Sequence, residues 1–214
     1  VPILSTAKAL YFLDILGAYY PEAKIELCFD KENPWQLLVA VALSAQTTDK
    51  QVNKVTPALF EAYPSVQDFA RATPEEVEPY VKTLGFYRNK ARNLVLAARM
   101  IVKDFKGKIP EDRDLLETIP GVGPKSAAVI IANAFGVPVI AVDTHVGRVA
   151  RRLGLTKNTD PSKVETDLTK LFPRERLLEA HHVLIFHGRR ICHARKPNCS
   201  GCPVNNKCPK IGVI

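Results

Sequence analysis

Two hundred and fourteen residues, 46% hydrophobic and 24% charged, can bury a core as one domain or two small ones, which excludes a disordered or low-complexity chain. No apolar stretch reaches the length of a membrane span and no charged leader feeds an apolar core, so a cytoplasmic protein is expected. Thirty Lys and Arg against 22 Asp and Glu give a net charge of +8, which points to a polyanionic partner, nucleic acid first.

From Leu4 to Tyr20, Ala9, Leu13, Leu16 and Tyr20 recur at the spacing of one helical face and predict a first helix. Cys28 stands alone and reads as a buried apolar residue. Asn33-Pro34, Thr56-Pro57, Thr73-Pro74 and Asp160-Pro161 each place an N-cap before a proline suited to the first helical position. Phe86 to Phe105 and Arg174 to Arg190 predict two long helices, and Gly107, Gly136 and Gly154 are stop signals. Only Val137 to Val142 looks strand-like, and it is too short to build a sheet. The chain therefore reads as all-α with short connections, and any two domains within it are packed, not tethered.

The basic surplus lies in the C-terminal half. No acid follows Glu179, while Arg189, Arg190, Arg195, Lys196, Lys207 and Lys210 do. Between Pro120 and Thr159, Lys125, Arg148, Arg151, Arg152 and Lys157 face a single acid, Asp143. One such run is ordinarily a solvated face; two of them favour a phosphate-binding surface.

Cys192, Cys199, Cys202 and Cys208 are spaced C-x6-C-x2-C-x5-C. Spacing alone leaves disulfides, a four-thiolate zinc site and a [4Fe–4S] cluster open, although zinc modules ordinarily pair two short knuckles and only Cys199 and Cys202 form one. His193, Arg195 and Lys196, between the cysteines, would project from a ligand loop as fixed positive charges.

In Ile119-Pro120-Gly121-Val122-Gly123-Pro124-Lys125-Ser126, Gly121 and Gly123 permit a tight turn with exposed N–H groups, and Pro124 opens the next helix. Such a helix–hairpin–helix can hold one phosphate without reading sequence, although an ordinary αα turn would look similar. Lys125 falls where the positive helix dipole disfavours a cation: it is either a solvated lysine or an amine made more nucleophilic. Asp143 is a good N-cap, and a capping carboxylate held rigidly can also face a reaction centre. His145 and Arg148 share one helix face, either reaching phosphates or forming polar surface.

Taken together, Leu43 to Asp49, Leu84-Gly85-Phe86-Tyr87, the Pro120–Ala127 hairpin, Val142-Asp143-Thr144-His145 and the four-cysteine tail resemble the endonuclease III family of DNA glycosylase/AP lyases, within the helix-hairpin-helix superfamily. The resemblance implies two packed all-α domains with DNA across the cleft between them. A six-helix domain would span 27–137, and 1–26 with 138–214 would form an iron–sulfur cluster domain. It implies a [4Fe–4S] cluster on Cys192, Cys199, Cys202 and Cys208. Lys125 matches the nucleophilic lysine and Asp143 the essential aspartate. Gln46 matches a residue that fills the gap left in the duplex, and Phe86 stands where a second wedge is usually leucine. Without the family, Gln46 would read as a helix-end polar residue and Phe86 as a core aromatic. Ser126 replaces a frequent threonine.

Gly121, Gly123, His145, Arg148 and Lys196 complete the expected DNA contacts. The implied activity, by a monomer acting on double-stranded DNA, removes oxidised pyrimidines after flipping them from the stack and cuts abasic sites by β-elimination. The similar adenine glycosylase branch lacks the lysine and usually carries a further C-terminal domain, so Lys125 and a chain stopping at Ile214 speak against it. A non-catalytic DNA-binding module would not need both Lys125 and Asp143.

Overall fold

Side-chain caps and prolines set where most helices of this chain begin. The structure, a computed structural model, describes residues 5–213 and contains eleven α-helices and one 3-10 turn, with no strand among the described residues. It divides into two units, Glu26–Val137 and Val1–Ile25 with Pro138–Ile214. No helix among the described residues is long and apolar enough to cross a membrane.

The Glu26–Val137 unit carries α2 (Pro34–Leu43), α3 (Asp49–Ala62), α4 (Val66–Arg71), α5 (Pro74–Val81), α6 (Tyr87–Asp104), α7 (Arg113–Glu117) and α8 (Pro124–Phe135). Seven helical segments thus lie among its described residues; without the five-residue α7, six remain. Asn33 and Thr73 cap α2 and α5 before prolines, as expected, and Thr73 with Glu76 completes a reciprocal capping box. Thr56-Pro57 behaves differently. Pro57 lies inside α3, whose cap is Thr48 accepting from the Gln51 N–H. The buried stripe Val52, Val55, Thr56 and Leu59 runs past the proline, so packing outweighs one missing backbone hydrogen bond. Helix α2 is buried nearly all round, from Trp35 to Leu43, and forms the middle of this unit.

Cys28 is exposed, contrary to the expectation of a buried thiol. Leu27 turns inward instead, while the Cys28 N–H donates to Asn53 Oδ1 (2.8 Å) and Asn53 Nδ2 donates to the Glu26 carbonyl (2.8 Å). The backbone is pinned to α3 and the thiol points away.

The other unit contains α1 (Thr6–Tyr19), α9 (Thr144–Arg152), α10 (Pro161–Leu171), a 3-10 turn (Arg174–Arg176) and α11 (Leu177–Arg190). The expected start of α1 at Leu4 lies outside the described residues. Asp160 caps α10 before Pro161 as expected. Phe12, Leu16, Val146, Val149, Leu168 and Leu184 belong to one core formed by α1, α9, α10 and α11. The apolar segment Val137 to Val142 forms no strand and carries no regular secondary structure. A strand needs a partner ladder, and here the Ala141 carbonyl is met by a side chain, the Nδ1 of His181 at 2.9 Å.

Removing the capping box should be felt globally in the Glu26–Val137 unit. Thr73→Ala is expected to cost about 1 kcal/mol, read as a lower urea midpoint with an unchanged slope. An unchanged midpoint would mean the box contributes nothing.

Candidate functional site

The hairpin sits between α7 and α8. Ile119 and Val122 are buried and anchor it, and Gly121 adopts φ +84° in the turn. A Cβ there would lie 3.2 Å from Cβ of Asn93 on α6, so a side chain would be both strained and crowded. Gly123 is the extended N-cap of α8, with Pro124 at the first helical position and no side-chain cap. The positive end of α8 therefore lies at three exposed residues, Gly123, Pro124 and Lys125.

Beside the hairpin is a cleft of about 190 Å³ lined by Gln46, Phe86, Asn89, Lys90, Asn93 and Gly121, with the apolar Ala42, Leu43, Ala45 and Leu94. The two residues expected to enter the duplex are thus brought to one rim together with the hairpin. Both hold left-handed backbone conformations, φ +54° at Gln46 and +57° at Phe86. Such conformations cost free energy in non-glycine residues and persist only where neighbours enforce them. Phe86 is not a core aromatic: it is 66% exposed at the start of α6, while Leu84 fills the interior. Gln46, also exposed, occupies the turn after α2.

Lys90 was not singled out by the sequence reading. Its ammonium donates to Thr47 Oγ1 at 2.6 Å, fixing the residue next to Gln46. Burial pushes its pKa below the usual lysine value. A lysine on the apolar stripe of α6, one turn before Leu94, was the available signal.

In the other unit, Asp143 caps α9, its Oδ1 accepting from the Val146 N–H at 2.8 Å. His145 and Arg148 follow on the same helix, and the structure turns them toward α11. Arg148 donates to the carbonyls of Gly188 (2.9 Å), Cys192 (3.1 Å) and Thr144 (3.4 Å), and its Nη2 lies 3.2 Å from His145 Nδ1. Burial lowers the His145 pKa, with the Arg148 charge acting the same way and Asp143 opposing. The guanidinium expected to meet phosphates is engaged with protein acceptors that fasten α9 to the end of α11.

Arg152, one turn further and 7% exposed, organises the cysteine segment. It donates to the carbonyls of His193 (2.6 Å), Ala194 (3.0 Å) and Cys192 (3.4 Å), and to Cys192 Sγ (3.4 Å). Its own carbonyl accepts from the Ile211 N–H (3.2 Å) and the Cys208 thiol (3.6 Å). Cys192, Cys199, Cys202 and Cys208 all line one cavity, together with Arg152, Leu153, His187 and Ile191. Burial pushes the thiols of Cys202 and Cys208 up. Among the described residues no three His, Cys, Asp or Glu side chains form a group that could hold a metal ion. Lys196 is exposed on this loop at φ +50°, flanked by Arg195 and Pro197.

Residues 39–174 match the HhH-GPD superfamily of base excision DNA repair proteins. The endonuclease III of Synechocystis sp. is 47% identical over 94% of this chain and 92% of its own length. That of Bacillus subtilis is 44% identical over 96% of this chain and 94% of its own. A solved structure of a trapped endonuclease III–DNA covalent intermediate superposes with a TM-score of 0.91 at 44% identity, covering 97% of each chain. The helical fold and its glycine hairpin are those of a base excision repair protein of the HhH-GPD class. Within that class the chain belongs to the endonuclease III family, which makes it a DNA glycosylase and AP lyase.

Arg152→Met, which keeps most of the stem but removes every donor, should leave the 192–194 carbonyls without their shared partner. The expected loss is about 2–4 kcal/mol of stability, with faster amide exchange across 192–199. Unchanged exchange there would show that the guanidinium does not hold the loop.

Proposed function

We propose that Lys125 is the covalent nucleophile of this glycosylase–lyase and that Asp143 serves its chemistry, acting on oxidised pyrimidines and abasic sites in double-stranded DNA. The observation that carries the reading is the placement of Lys125: an exposed amine in the first turn of α8, immediately after the Gly121–Gly123 hairpin. The protein acts as a monomer, with residues 27–137 as the hairpin domain and 1–26 plus 138–214 as the cluster domain. The division at Glu26 and Pro138 supports that partition.

The chemistry begins with extrusion of the damaged nucleotide, because its sugar carbon is unreachable inside the duplex. Gln46 and Phe86, on their left-handed turns, occupy the gap, while the hairpin N–H groups and Lys196 hold phosphates. Asp143 takes up a proton from the Lys125 ammonium and passes it to the departing base, and as a carboxylate again it stabilises the positive charge that develops on the sugar. The Lys125 nitrogen forms a bond to C1′ as the bond from C1′ to the base breaks, and the base leaves with the bonding pair and a proton. Ring opening gives an iminium between Lys125 and C1′, which acidifies the C2′ hydrogen. Loss of that proton expels the 3′ phosphate from C3′, and water then releases the amine.

Cys192, Cys199, Cys202 and Cys208 would hold one [4Fe–4S] cluster, and the lining of one cavity by all four thiols supports a shared group. When bound, the cluster would supply a four-point cross-link that keeps the loop, and Lys196 on it, in one shape. Every chemical step above belongs to the chain's own residues.

Single-turnover base release, strand cleavage and duplex affinity over a salt series test this reading. Lys125→Ala should abolish strand cleavage while duplex binding persists. Asp143→Asn retains a competent N-cap, so the fold should survive while base release slows by about 10²-fold or more. Lys196→Glu should weaken binding to every duplex and reduce the salt slope by about 1, leaving the rate at saturating protein near normal. Normal base release by Asp143→Asn would remove that residue from the chemistry; normal binding by Lys196→Glu would remove Lys196 from the interface.

A further inference from the structure

Two groups, Tyr20 and His187, stand in line with the Cys202 sulfur at the cysteine cavity, and the proposed chemistry uses neither of them. Tyr20 is the C-cap of α1, and His187 lies in α11, 1% exposed. The Tyr20 hydroxyl is 3.1 Å from His187 Nδ1, in a buried contact. On the opposite side of the same ring, His187 Nε2 is 3.6 Å from Cys202 Sγ. The imidazole thus bridges the end of the N-terminal helix to one of the four sulfurs. Cysteine spacing contains no trace of this arrangement, because Tyr20 and His187 are 167 positions apart in the chain.

The direction of the two hydrogen bonds follows from the donor set. A cysteine sulfur bound to iron has lost its proton and can only accept, so the proton must reside on Nε2. A neutral ring protonated at Nε2 presents a lone pair at Nδ1, and the Tyr20 hydroxyl is the donor that meets it. The tyrosine is held in place for this. Phe186 packs edge-on against it (6.2 Å between centroids, 69°), Tyr19 does so on another side (4.9 Å, 88°), and Arg190 lies 4.2 Å over the Phe186 ring while pairing with Glu22. The alternative tautomer would place two lone pairs face to face at Nε2 and sulfur.

We infer that His187 is a positioning residue for the cluster, donating its Nε2 proton to Cys202 Sγ in a tautomer fixed by the Tyr20 hydroxyl. This rests on the [4Fe–4S] reading given above. A donor to a cluster sulfur stabilises the more negative, reduced state more than the oxidised one and therefore raises the reduction potential. Tyr20 and His187 together would then set the potential from the side of α1, without touching DNA.

The test uses the anaerobically purified full chain: wild type, His187→Phe, Tyr20→Phe and, as a control, Tyr19→Phe. Iron content is measured first and the one-electron potential second. Wild type should carry about four irons per chain. His187→Phe keeps an aromatic ring but no donor, and at a fixed applied potential its reduced-to-oxidised ratio should fall about tenfold, equivalent to a shift of about 59 mV for one electron. Tyr20→Phe should move the potential in the same direction by less, and Tyr19→Phe should match wild type. If His187→Phe fails to assemble a cluster, Tyr20→Phe decides the matter. Iron-replete variants with the wild-type potential would overturn the role of His187 alone. Wild-type protein containing zinc and no iron would overturn the cluster reading, and this inference with it.

Discussion

One buried guanidinium holds the C-terminal third of this protein in shape. Arg152 ends α9, where the negative helix terminus already favours a cation, and spends its donors on three successive carbonyls of the segment that begins the cysteine loop. Its backbone carbonyl collects the far end of the same loop through Ile211 and Cys208. A buried charge left unpaired would be costly; four acceptors around one planar fork offset that cost. Arg148, one turn earlier, repeats the device on Gly188 and Cys192. Helix α9 therefore carries the Asp143 cap at its start and, about 13 Å away at its end, ties down the segment around Cys192 and the thiol of Cys208.

Left-handed backbone at non-glycine residues occurs in both units. Five non-glycine residues among those described hold positive φ: Gln46 and Phe86 line one cleft, Lys106 follows α6, and Lys196 and Lys210 lie in the cysteine-bearing C-terminal segment. Gln46, Phe86 and Lys196 are all exposed. A left-handed conformation at a non-glycine residue persists only where a neighbouring interaction fixes it. For Gln46 that interaction is the buried Lys90 ammonium on Thr47.

How much of this was legible depended on the range of the interactions involved. Caps are local, so Asn33, Thr73, Asp143 and Asp160 could be read directly, and the Gly121–Gly123 turn with them. Pro57 could not, because the decision lay with a buried stripe on α3 that local capping rules do not weigh. Cys28 was misread for a similar reason: its exposure follows from the Asn53 side chain, 25 residues away. The apolar run Val137 to Val142 looked like a strand because burial and strand pairing leave the same pattern, and only the first is present here. The basic surplus between Pro120 and Thr159 was read as phosphate-binding surface. Two of its five cations, Arg148 and Arg152, are engaged with carbonyls whose path past α9 no spacing rule reveals.

The central claim is that the amine following the hairpin, Lys125, forms the covalent bond to DNA. Its most direct test is peptide mapping of the wild-type adduct, trapped by borohydride on duplex DNA containing an abasic site, digested and sequenced by mass spectrometry. The modified peptide should carry the sugar remnant on Lys125, within Gly123-Pro124-Lys125-Ser126. A remnant on any other amine, the buried Lys90 included, would contradict the mechanism and move the active site away from the hairpin.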